Sequence, residues 1–231
     1  MPALFRKSLQ ALTAMPRYTH VLFDLDGTLT DSRVGITRSV AYALRQFGIH
    51  VDNYDTLTPF IGPPLMESFQ SIYHFDENQS RLASRHYRHY FLDRGWAENS
   101  VYPGIPSLIQ DLHRQGVHLY VATSKGEQSA RRILTHFHLT PYFDFIAGDT
   151  PRHRRPTKAD VIRHLIKRQG VCPTDRAVMV GDRRHDIEGA CQAGLPSLGV
   201  TYGYGNREEL MQAGATDIVD SVDALRRFLL A

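Results

Sequence analysis

Residues 20–28 read His-Val-Leu-Phe-Asp-Leu-Asp-Gly-Thr, and this stretch decides how the rest of the chain is interpreted. Its apolar run predicts a buried strand over residues 20–25. Alternation along an extended chain places Asp24 and Asp26 on the same side as the chain leaves the sheet. Two carboxylates this close repel each other unless a cation lies between them. The stretch is typical of a strand that ends in a cation site, although an aspartate pair in an ordinary turn would also explain it.

Outward from this stretch, short apolar runs alternate with segments of helical spacing. The runs predict further strands over residues 119–123, 143–147, 177–180 and 197–200. The segments predict helices over residues 104–115, 127–137, 157–169, 185–193, 208–213 and 222–230. Such alternation indicates an α/β fold with a parallel, Rossmann-like sheet and crossover helices.

One connection is much longer than the others. About ninety residues separate the first strand from the second, whereas a crossover between parallel strands requires roughly a dozen. Residues 32–47, 64–73 and 77–94 have helical spacing, with prolines and glycines between them. We therefore predict an N-terminal tail over residues 1–14, an α/β core over residues 15–32 and 101–231, and an inserted all-helical domain over residues 33–100.

Composition excludes several classes of protein. The 231 residues are 42% hydrophobic and 22% charged, and 27 basic against 24 acidic residues leave a net charge of +3. That charge is too mild to indicate a nucleic-acid or membrane partner. No apolar run reaches the roughly 20 residues that span a bilayer, and two cysteines are too few for a disulfide framework. A cytoplasmic protein is the expectation.

Chemistry-bearing residues follow the predicted strands at their carboxyl ends. A hydroxyl-rich turn and a lysine follow the second strand, a lone lysine begins the helix from residue 157, and an acidic turn follows residues 177–180. Ligands bind at this edge in open α/β sheets, and hydroxyls with backbone amides at a helix start favour anions. These candidates are Thr28, Thr123, Ser124, Lys125, Lys158, Asp182 and Asp186.

In this order the motifs resemble those of the haloacid dehalogenase superfamily. Asp24-Leu25-Asp26-Gly27-Thr28 is similar to its first motif, Thr123 to its second, Lys158 to its third, and Gly181-Asp182-Arg183-Arg184-His185-Asp186 to its fourth. The resemblance covers about residues 18–220. The inserted helical domain is similar to the cap of the subgroup that includes phosphoglycolate phosphatase and β-phosphoglucomutase.

The resemblance implies roles for these residues. Asp24 is expected to attack phosphorus and form an aspartyl-phosphate. Asp26 is expected to act as acid and then base, as in the phosphoryl-transferring members rather than the true dehalogenases. Thr123 and Lys158 are expected to hold the phosphoryl group, with Thr28, Ser124 and Lys125 as further phosphate-binding candidates. Mg²⁺ is the expected cofactor, held by Asp24, the backbone carbonyl of Asp26, Asp182 and Asp186.

Two assignments of basic residues stay open at this point. Arg155-Pro156 imitates the Lys-Pro of many relatives, but we prefer Lys158 because a compact ammonium suits a crowded phosphate site. Lys125 has two equal interpretations, a phosphate contact or a salt bridge with Glu127.

Two glycine-containing loops are also ambiguous. Residues 201–205, Thr-Tyr-Gly-Tyr-Gly, are more simply explained as a turn than as part of a site. Residues 61–65, Ile-Gly-Pro-Pro-Leu, are equally consistent with a substrate-proximal loop and with the start of a helix. Arg183 and His185 lie inside the fourth motif and could approach the mouth of the site, although the variable positions of this motif usually point elsewhere.

The resulting expectation is a Mg²⁺-dependent phosphatase that acts on a small phosphorylated metabolite, as a monomer or homodimer. Phosphoglycolate is the first candidate substrate by resemblance. A 5′-nucleotidase or sugar-phosphate phosphatase is the next alternative, followed by a phosphomutase of the β-phosphoglucomutase type. A non-catalytic phosphate-binding protein is the last alternative, because such a protein needs no nucleophile.

Overall fold

The computed structural model describes residues 16–150, 155, 157–172 and 175–231. The predicted N-terminal tail, residues 1–14, lies outside the described residues. So do the basic residues 152–154.

A six-stranded parallel sheet forms the core, in the order β5-β4-β1-β6-β7-β8. The strands of this sheet are β1 His20–Phe23, β4 His118–Gly126, β5 Phe145–Asp149, β6 Ala177–Gly181, β7 Ser197–Val200 and β8 Asp217–Val219. Strands β2 Thr30–Asp31 and β3 Ser100–Val101 form a separate antiparallel pair. The predicted parallel α/β sheet is confirmed.

The described helices lie between and after these strands. They are α1 Arg33–Arg45, α2 Leu65–Tyr73, α3 Glu77–Tyr90, α4 Ile105–Arg114, α5 Glu127–His136, α6 Lys158–Gln169, α7 Arg184–Gln192, α8 Arg207–Gln212 and α9 Val222–Leu230. Helices α1 to α3 all fall between β2 and β3, in a segment that we call the cap. The cap also contains a 3₁₀ helix, Tyr54–Phe60, and a π-helical turn, Phe91–Gly95.

The period-two pattern of β1 explains why it lies in the middle of the sheet. Val21 and Phe23 face one apolar cluster, whereas Leu22 faces another on the opposite side. All three side chains are fully buried, as expected for a strand that is covered on both faces by helices. The first cluster continues into the cap, where it includes Phe60 and Phe69.

Several predicted boundaries were wrong. The strand expected over residues 143–147 begins only at Phe145, because the backbone N–H of Phe143 closes the preceding 3₁₀ turn by donating to the Thr140 carbonyl. The third cap helix, expected to reach residue 94, changes to the π-helical turn after Tyr90. Strands β2, β3 and β8 were missed because each has only two or three residues and depends on a partner elsewhere in the chain.

Candidate active site

The site lies where β4, β1 and β6 end side by side. Phe23 of β1 is in register with Val121 of β4 and Val180 of β6. The residues that follow, Asp24 and Asp182, are therefore brought to the same edge of the sheet. The backbone N–H of Asp24 continues the ladder by donating to the Val180 carbonyl at 2.9 Å. This edge is the one predicted from the sequence.

Lys158 joins these strand ends from the first turn of α6. The preceding Thr157 accepts a hydrogen bond from the backbone of Asp160 and fixes the start of the helix. The Lys158 ammonium lies 2.7 Å from Asp24 Oδ1 and 2.8 Å from Asp186 Oδ1. It also donates to the Ala122 carbonyl at 3.0 Å. These three contacts place Lys158 at the centre of the site. Its side chain is buried, with 6% of the residue exposed.

Arg155, the alternative to Lys158, has other partners. Its backbone N–H donates to Asp149 Oδ1 at 2.9 Å, and its guanidinium donates to the Gly148 carbonyl. The guanidinium also lies 3.0 Å from the His164 ring. These contacts keep the Arg155 side chain near the end of β5, whereas Lys158 contacts the acids at the ends of the central strands.

Three buried carboxylates form an acidic cluster around this lysine. One oxygen each of Asp24, Asp182 and Asp186 lies within 4.8 Å of the others. Three carboxylates and one ammonium leave a formal charge of −2 in a site that is almost closed to water. The donors are all hard oxygens, as divalent cations such as Mg²⁺ and Ca²⁺ prefer. The residues therefore fit a divalent metal.

The pKa values of the cluster reflect this excess of negative charge. Burial raises the pKa of Asp24, which the Lys158 ammonium partly offsets. Burial and then the Asp186 and Asp24 carboxylates raise the pKa of Asp182 well above its usual range. Burial alone would lower the pKa of Lys158, but the two neighbouring carboxylates raise it, so this lysine stays charged.

The Thr28 hydroxyl has a different partner from the one predicted. Its hydroxyl was expected to bind phosphate, but it is fully buried and donates to Asp182 Oδ1 at 3.2 Å. The backbone N–H of Tyr204 donates to the other oxygen, Oδ2, at 2.8 Å. Both oxygens of Asp182 are therefore held in place, and Thr28 serves to orient a carboxylate of the acidic cluster.

The loop over residues 201–205 is a part of the site that sequence reasoning undervalued. The Tyr202 hydroxyl donates to the Thr28 carbonyl at 2.9 Å, and the Tyr204 hydroxyl donates to Asp31 Oδ1 at 2.7 Å. Burial raises the pKa of both phenols, so both remain protonated donors. The glycines of this loop indicated only a turn. The sequence signal for its structural role was the pair of tyrosines, Tyr202 and Tyr204, next to these glycines.

Asp26 and Lys125 form an ion pair beside the acidic cluster. Lys125 Nζ lies 3.0 Å from Asp26 Oδ2 and 4.3 Å from the centre of the Phe91 ring of the cap. Lys125 therefore pairs with Asp26 and not with Glu127, the salt-bridge partner that we considered. Asp26 Oδ1 is buried and has no hydrogen-bond partner among the described residues. That oxygen is available to a substrate or to water.

Thr123 and Ser124 lie inside β4, where its register with β5 is irregular between Ala122 and Gly126, and not in a turn after the strand as predicted. Thr123 is 1% exposed, and its hydroxyl accepts a hydrogen bond from the Lys125 backbone at 3.2 Å. Ser124 borders a cavity of about 150 Å³ that lies between the cap and the core. This cavity is also lined by Lys158 of the core and Glu67 of the cap. Lys158 thus lies between this cavity and the Asp24 and Asp186 carboxylates.

Gly27 is essential to the packing of this site. Its φ of +92° is in the region that favours glycine, and a Cβ there would overlap the Asp182 carboxylate. We expect Gly27→Ala to lower activity about 10²-fold or more, because it displaces Asp182. Steady-state kinetics measure this effect.

Gly48→Ala is the matched control for this change. Gly48 also has a positive φ, +74°, but a Cβ there meets nothing within 4 Å. It should lose about 1 kcal/mol of stability through backbone strain and keep its activity. Equal losses of activity in the two variants would contradict the role that we assign to Gly27.

Comparisons with known proteins agree with this site. A family model described as haloacid dehalogenase-like hydrolase matches residues 21–200. The chain is 44% identical over 213 residues to a 5′-nucleotidase of Pseudomonas aeruginosa, covering 92% of this chain and 96% of that protein. It is 40% identical to the tyrosine-protein kinase PtkA of Mycobacterium tuberculosis, covering 90% and 72%. It is 32% identical to a phosphoglycolate phosphatase of Agrobacterium fabrum, covering 84% of each.

A solved structure matches as well. The crystal structure of a predicted phosphatase from Clostridium acetobutylicum superposes with a TM-score of 0.89 at 49% identity, covering 92% of this chain and 98% of that one. The fold and the acidic site thus define a hydrolase of the α/β class with an inserted cap. The chain belongs to the haloacid dehalogenase-like hydrolases, and the predicted enzyme class, a phosphatase of this family, is confirmed.

No described helix has the length and hydropathy that crossing a membrane requires.

Proposed function

We propose that this protein is a Mg²⁺-dependent phosphatase that cleaves a small phosphomonoester through a phosphorylated Asp24. The observation that carries the proposal is the placement of Asp24. Its carboxylate meets the Lys158 ammonium at 2.7 Å and belongs to the same acidic cluster as Asp182 and Asp186. A nucleophile, a fixed cation and metal-binding oxygens in one dry site are what attack on an anionic ester requires.

The metal would be held by the carboxylates of Asp24, Asp182 and Asp186 and by the backbone carbonyl of Asp26. When bound, Mg²⁺ neutralises negative charge on the transferring phosphoryl group. Its identity rests on the preference of Mg²⁺ for oxygen ligands and on the charge of −2 that the cluster carries without it.

In the first step, a carboxylate oxygen of Asp24 forms a bond to phosphorus while the ester P–O bond breaks. Asp26 donates a proton to the leaving oxygen, through the Oδ1 atom that has no other partner among the described residues. The Lys158 ammonium and the Thr123 hydroxyl hold the phosphoryl oxygens. The product of this step is an acyl phosphate on Asp24.

In the second step, water attacks the phosphorus and the bond between phosphorus and Asp24 breaks. Asp26 accepts a proton from the attacking water, which restores the starting state and releases inorganic phosphate. The Phe91 ring of the cap lies against the Lys125 ammonium that pairs with Asp26, and so helps to shield this ion pair from bulk solvent.

Two substrate classes have support. A nucleoside 5′-monophosphate is favoured by the relative named 5′-nucleotidase, which is 44% identical along nearly the whole chain. Phosphoglycolate, the first candidate from the sequence, is favoured by a relative of that name at 32% identity. Both are small phosphomonoesters, and the mechanism is the same for each.

The test is inorganic phosphate released from a panel of nucleoside monophosphates, sugar phosphates and phosphoglycolate, with Mg²⁺ or with a chelator. Release that needs both Mg²⁺ and Asp24 would support the proposal, and the preferred compound would identify the substrate class. No release from any compound by the folded protein would contradict it. Dependence on a bisphosphate primer would instead identify a phosphomutase.

Metal binding should change how the stability of the protein depends on pH. The raised pKa values of Asp24 and Asp182 mean that the metal-free fold binds protons that the unfolded chain, with a pKa near 3.8, releases. In a chelator, stability should therefore fall as the pH rises from about 4 through the raised values. Mg²⁺ should remove this loss, so its stabilising effect should be larger at pH 7.5 than at pH 5.

Thermal unfolding at both pH values, with a chelator or with Mg²⁺, measures this difference. Sodium chloride of equal ionic strength controls for screening. Asp182→Asn should lose most of the Mg²⁺-induced increase in Tm. An increase that is the same at both pH values would contradict metal binding by these carboxylates.

A further inference from the structure

Arg183 links the acidic site to the cap. It directly follows Asp182 and precedes α7, and its side chain is only 16% exposed. Its Nη1 donates to the carbonyl of Ile61 in the cap at 2.6 Å, and its Nε donates to Glu209 Oε1 of the core at 2.9 Å. One guanidinium thus joins a core carboxylate and a cap carbonyl.

Both partners of Arg183 are themselves held in place. Glu209 lies in the first turn of α8, where its backbone N–H is capped by Asn206, and its Oε1 also accepts the Arg184 N–H at 2.9 Å. Ile61 is fully buried at the end of the 3₁₀ helix. The guanidinium therefore connects two rigid elements.

The following cap residue packs directly against the same side chain. Gly62 has a φ of +105°, and a Cβ on it would come within 3.0 Å of Arg183 Cγ. The chain then continues into Pro64 and α2, which border the 150 Å³ cavity beside Lys158. Residues 61–64 therefore help to position the part of the cap that covers the phosphoryl site.

We propose that Arg183 is a positioning residue that holds the cap closed over the phosphoryl site through its hydrogen bond to the Ile61 carbonyl. Arg183 does not contact the acidic cluster through its guanidinium; it acts through the cap. The proposal rests on the phosphatase function proposed above and extends it to the control of cap closure.

The proposal predicts a specific kinetic pattern. A substrate that needs the closed cap binds with an apparent affinity reduced by the fraction of molecules that are closed. Arg183→Gln should thus raise KM about tenfold, while kcat stays within about twofold because saturating substrate restores closure. Damage to Asp182 would instead lower kcat. Arg183→Lys keeps the charge but lacks the planar fork of the guanidinium that reaches both acceptors, so it should give an intermediate KM.

Arg184→Gln is the matched control. Arg184 is the next residue in the chain, and its side chain pairs with Glu188 at the surface. Its replacement by glutamine removes the same charge as Arg183→Gln. It should leave KM near that of the unchanged protein. Because both variants keep Asp24, Asp182 and Lys158, a change that both share would reflect net charge rather than the cap.

Hydrogen exchange gives a readout that does not require activity. Peptides covering residues 58–64 should exchange about tenfold faster in Arg183→Gln than in the unchanged protein or in Arg184→Gln, since the cap opens more often. Faster exchange with raised KM would support the proposal. Unchanged exchange, or a fall in kcat at constant KM, would overturn it.

The failure of the proposed function is distinguishable from the failure of this inference. Absence of phosphate release from every compound in the unchanged protein would reject the phosphatase and, with it, the role of Arg183 in that reaction. Normal release whose KM is insensitive to Arg183→Gln would reject only the positioning role.

Discussion

Asp24→Asn should reduce phosphate release about 10⁴-fold or more while leaving the protein folded. An amide is too weak a nucleophile to form the bond to phosphorus, and the change also removes one metal-binding oxygen. The remaining Lys158, Thr123 and Asp26 can still bind the ester, so the defect should appear mainly in kcat. Phosphate release at saturating substrate and Mg²⁺ measures it.

The stability of Asp24→Asn should not fall with its activity. In the metal-free protein, burial disfavours the Asp24 carboxylate, and Asp24 shares the Lys158 ammonium with Asp186 in a cluster that also contains Asp182. Removing one of these charges should leave Tm in a chelator unchanged or higher. Asp93→Asn, an exposed change in the cap beside Arg94, is the matched control and should keep full activity. Residual activity above about 1% in Asp24→Asn would reject Asp24 as the nucleophile.

Lys158→Ala should also abolish turnover, but here stability should fall with it. The lysine holds Asp24 and Asp186 at 2.7 and 2.8 Å, and its removal leaves these buried carboxylates without their cation. Breaking a buried pair in this way costs about 3–5 kcal/mol. We therefore expect a large loss of kcat together with a lower free energy of unfolding, measured by kinetics and by denaturant titration.

Arg155→Ala tests the alternative assignment, in which Arg155 rather than Lys158 holds the phosphoryl group. The Arg155 guanidinium donates to the Gly148 carbonyl instead of entering the acidic cluster, so its loss should affect substrate binding more than kcat. If Lys158→Ala does not fold, Lys158→Met retains the length of the stem and tests the charge alone. A larger loss of kcat in Arg155→Ala than in either Lys158 variant would reverse the assignment.

The two substitutions together distinguish a catalytic site from a structural ion pair. A pair that served only stability would be weakened by the loss of either partner. In a site with more acids than cations, removing Asp24 relieves repulsion whereas removing Lys158 increases it. Loss of activity in both variants, with a loss of stability only in the Lys158 variant, is the expected signature.

The sequence predicted much of this fold because its signals are local. The apolar run over residues 20–25, the helical spacings and the position of the acidic turns depend on neighbouring residues, and parallel topology then brings the strand ends together. The elements it missed, β2, β3 and β8, have two or three residues each and exist through pairing with distant partners. No local pattern of that length is distinctive.

The same distinction applies to the side chains of the site. Residue type and order were sufficient to propose Asp24, Asp26, Thr123, Lys158, Asp182 and Asp186 as one constellation. They were not sufficient for Thr28, whose hydroxyl could bind phosphate or a carboxylate until its distance to Asp182 was known. Nor could they predict the salt-bridge partner of Lys125, which is Asp26 and not Glu127.

By itself, then, the sequence determined the class of fold, the edge of the sheet that carries the chemistry and the set of acids and cations available there. These follow from periodicity and from covalent order, which are properties of the chain alone. Only the tertiary structure decided which oxygen meets which cation, that residues 201–205 brace Asp182, and that Arg183 reaches the cap. Those contacts join residues far apart in the chain, and their distances are set by packing between elements.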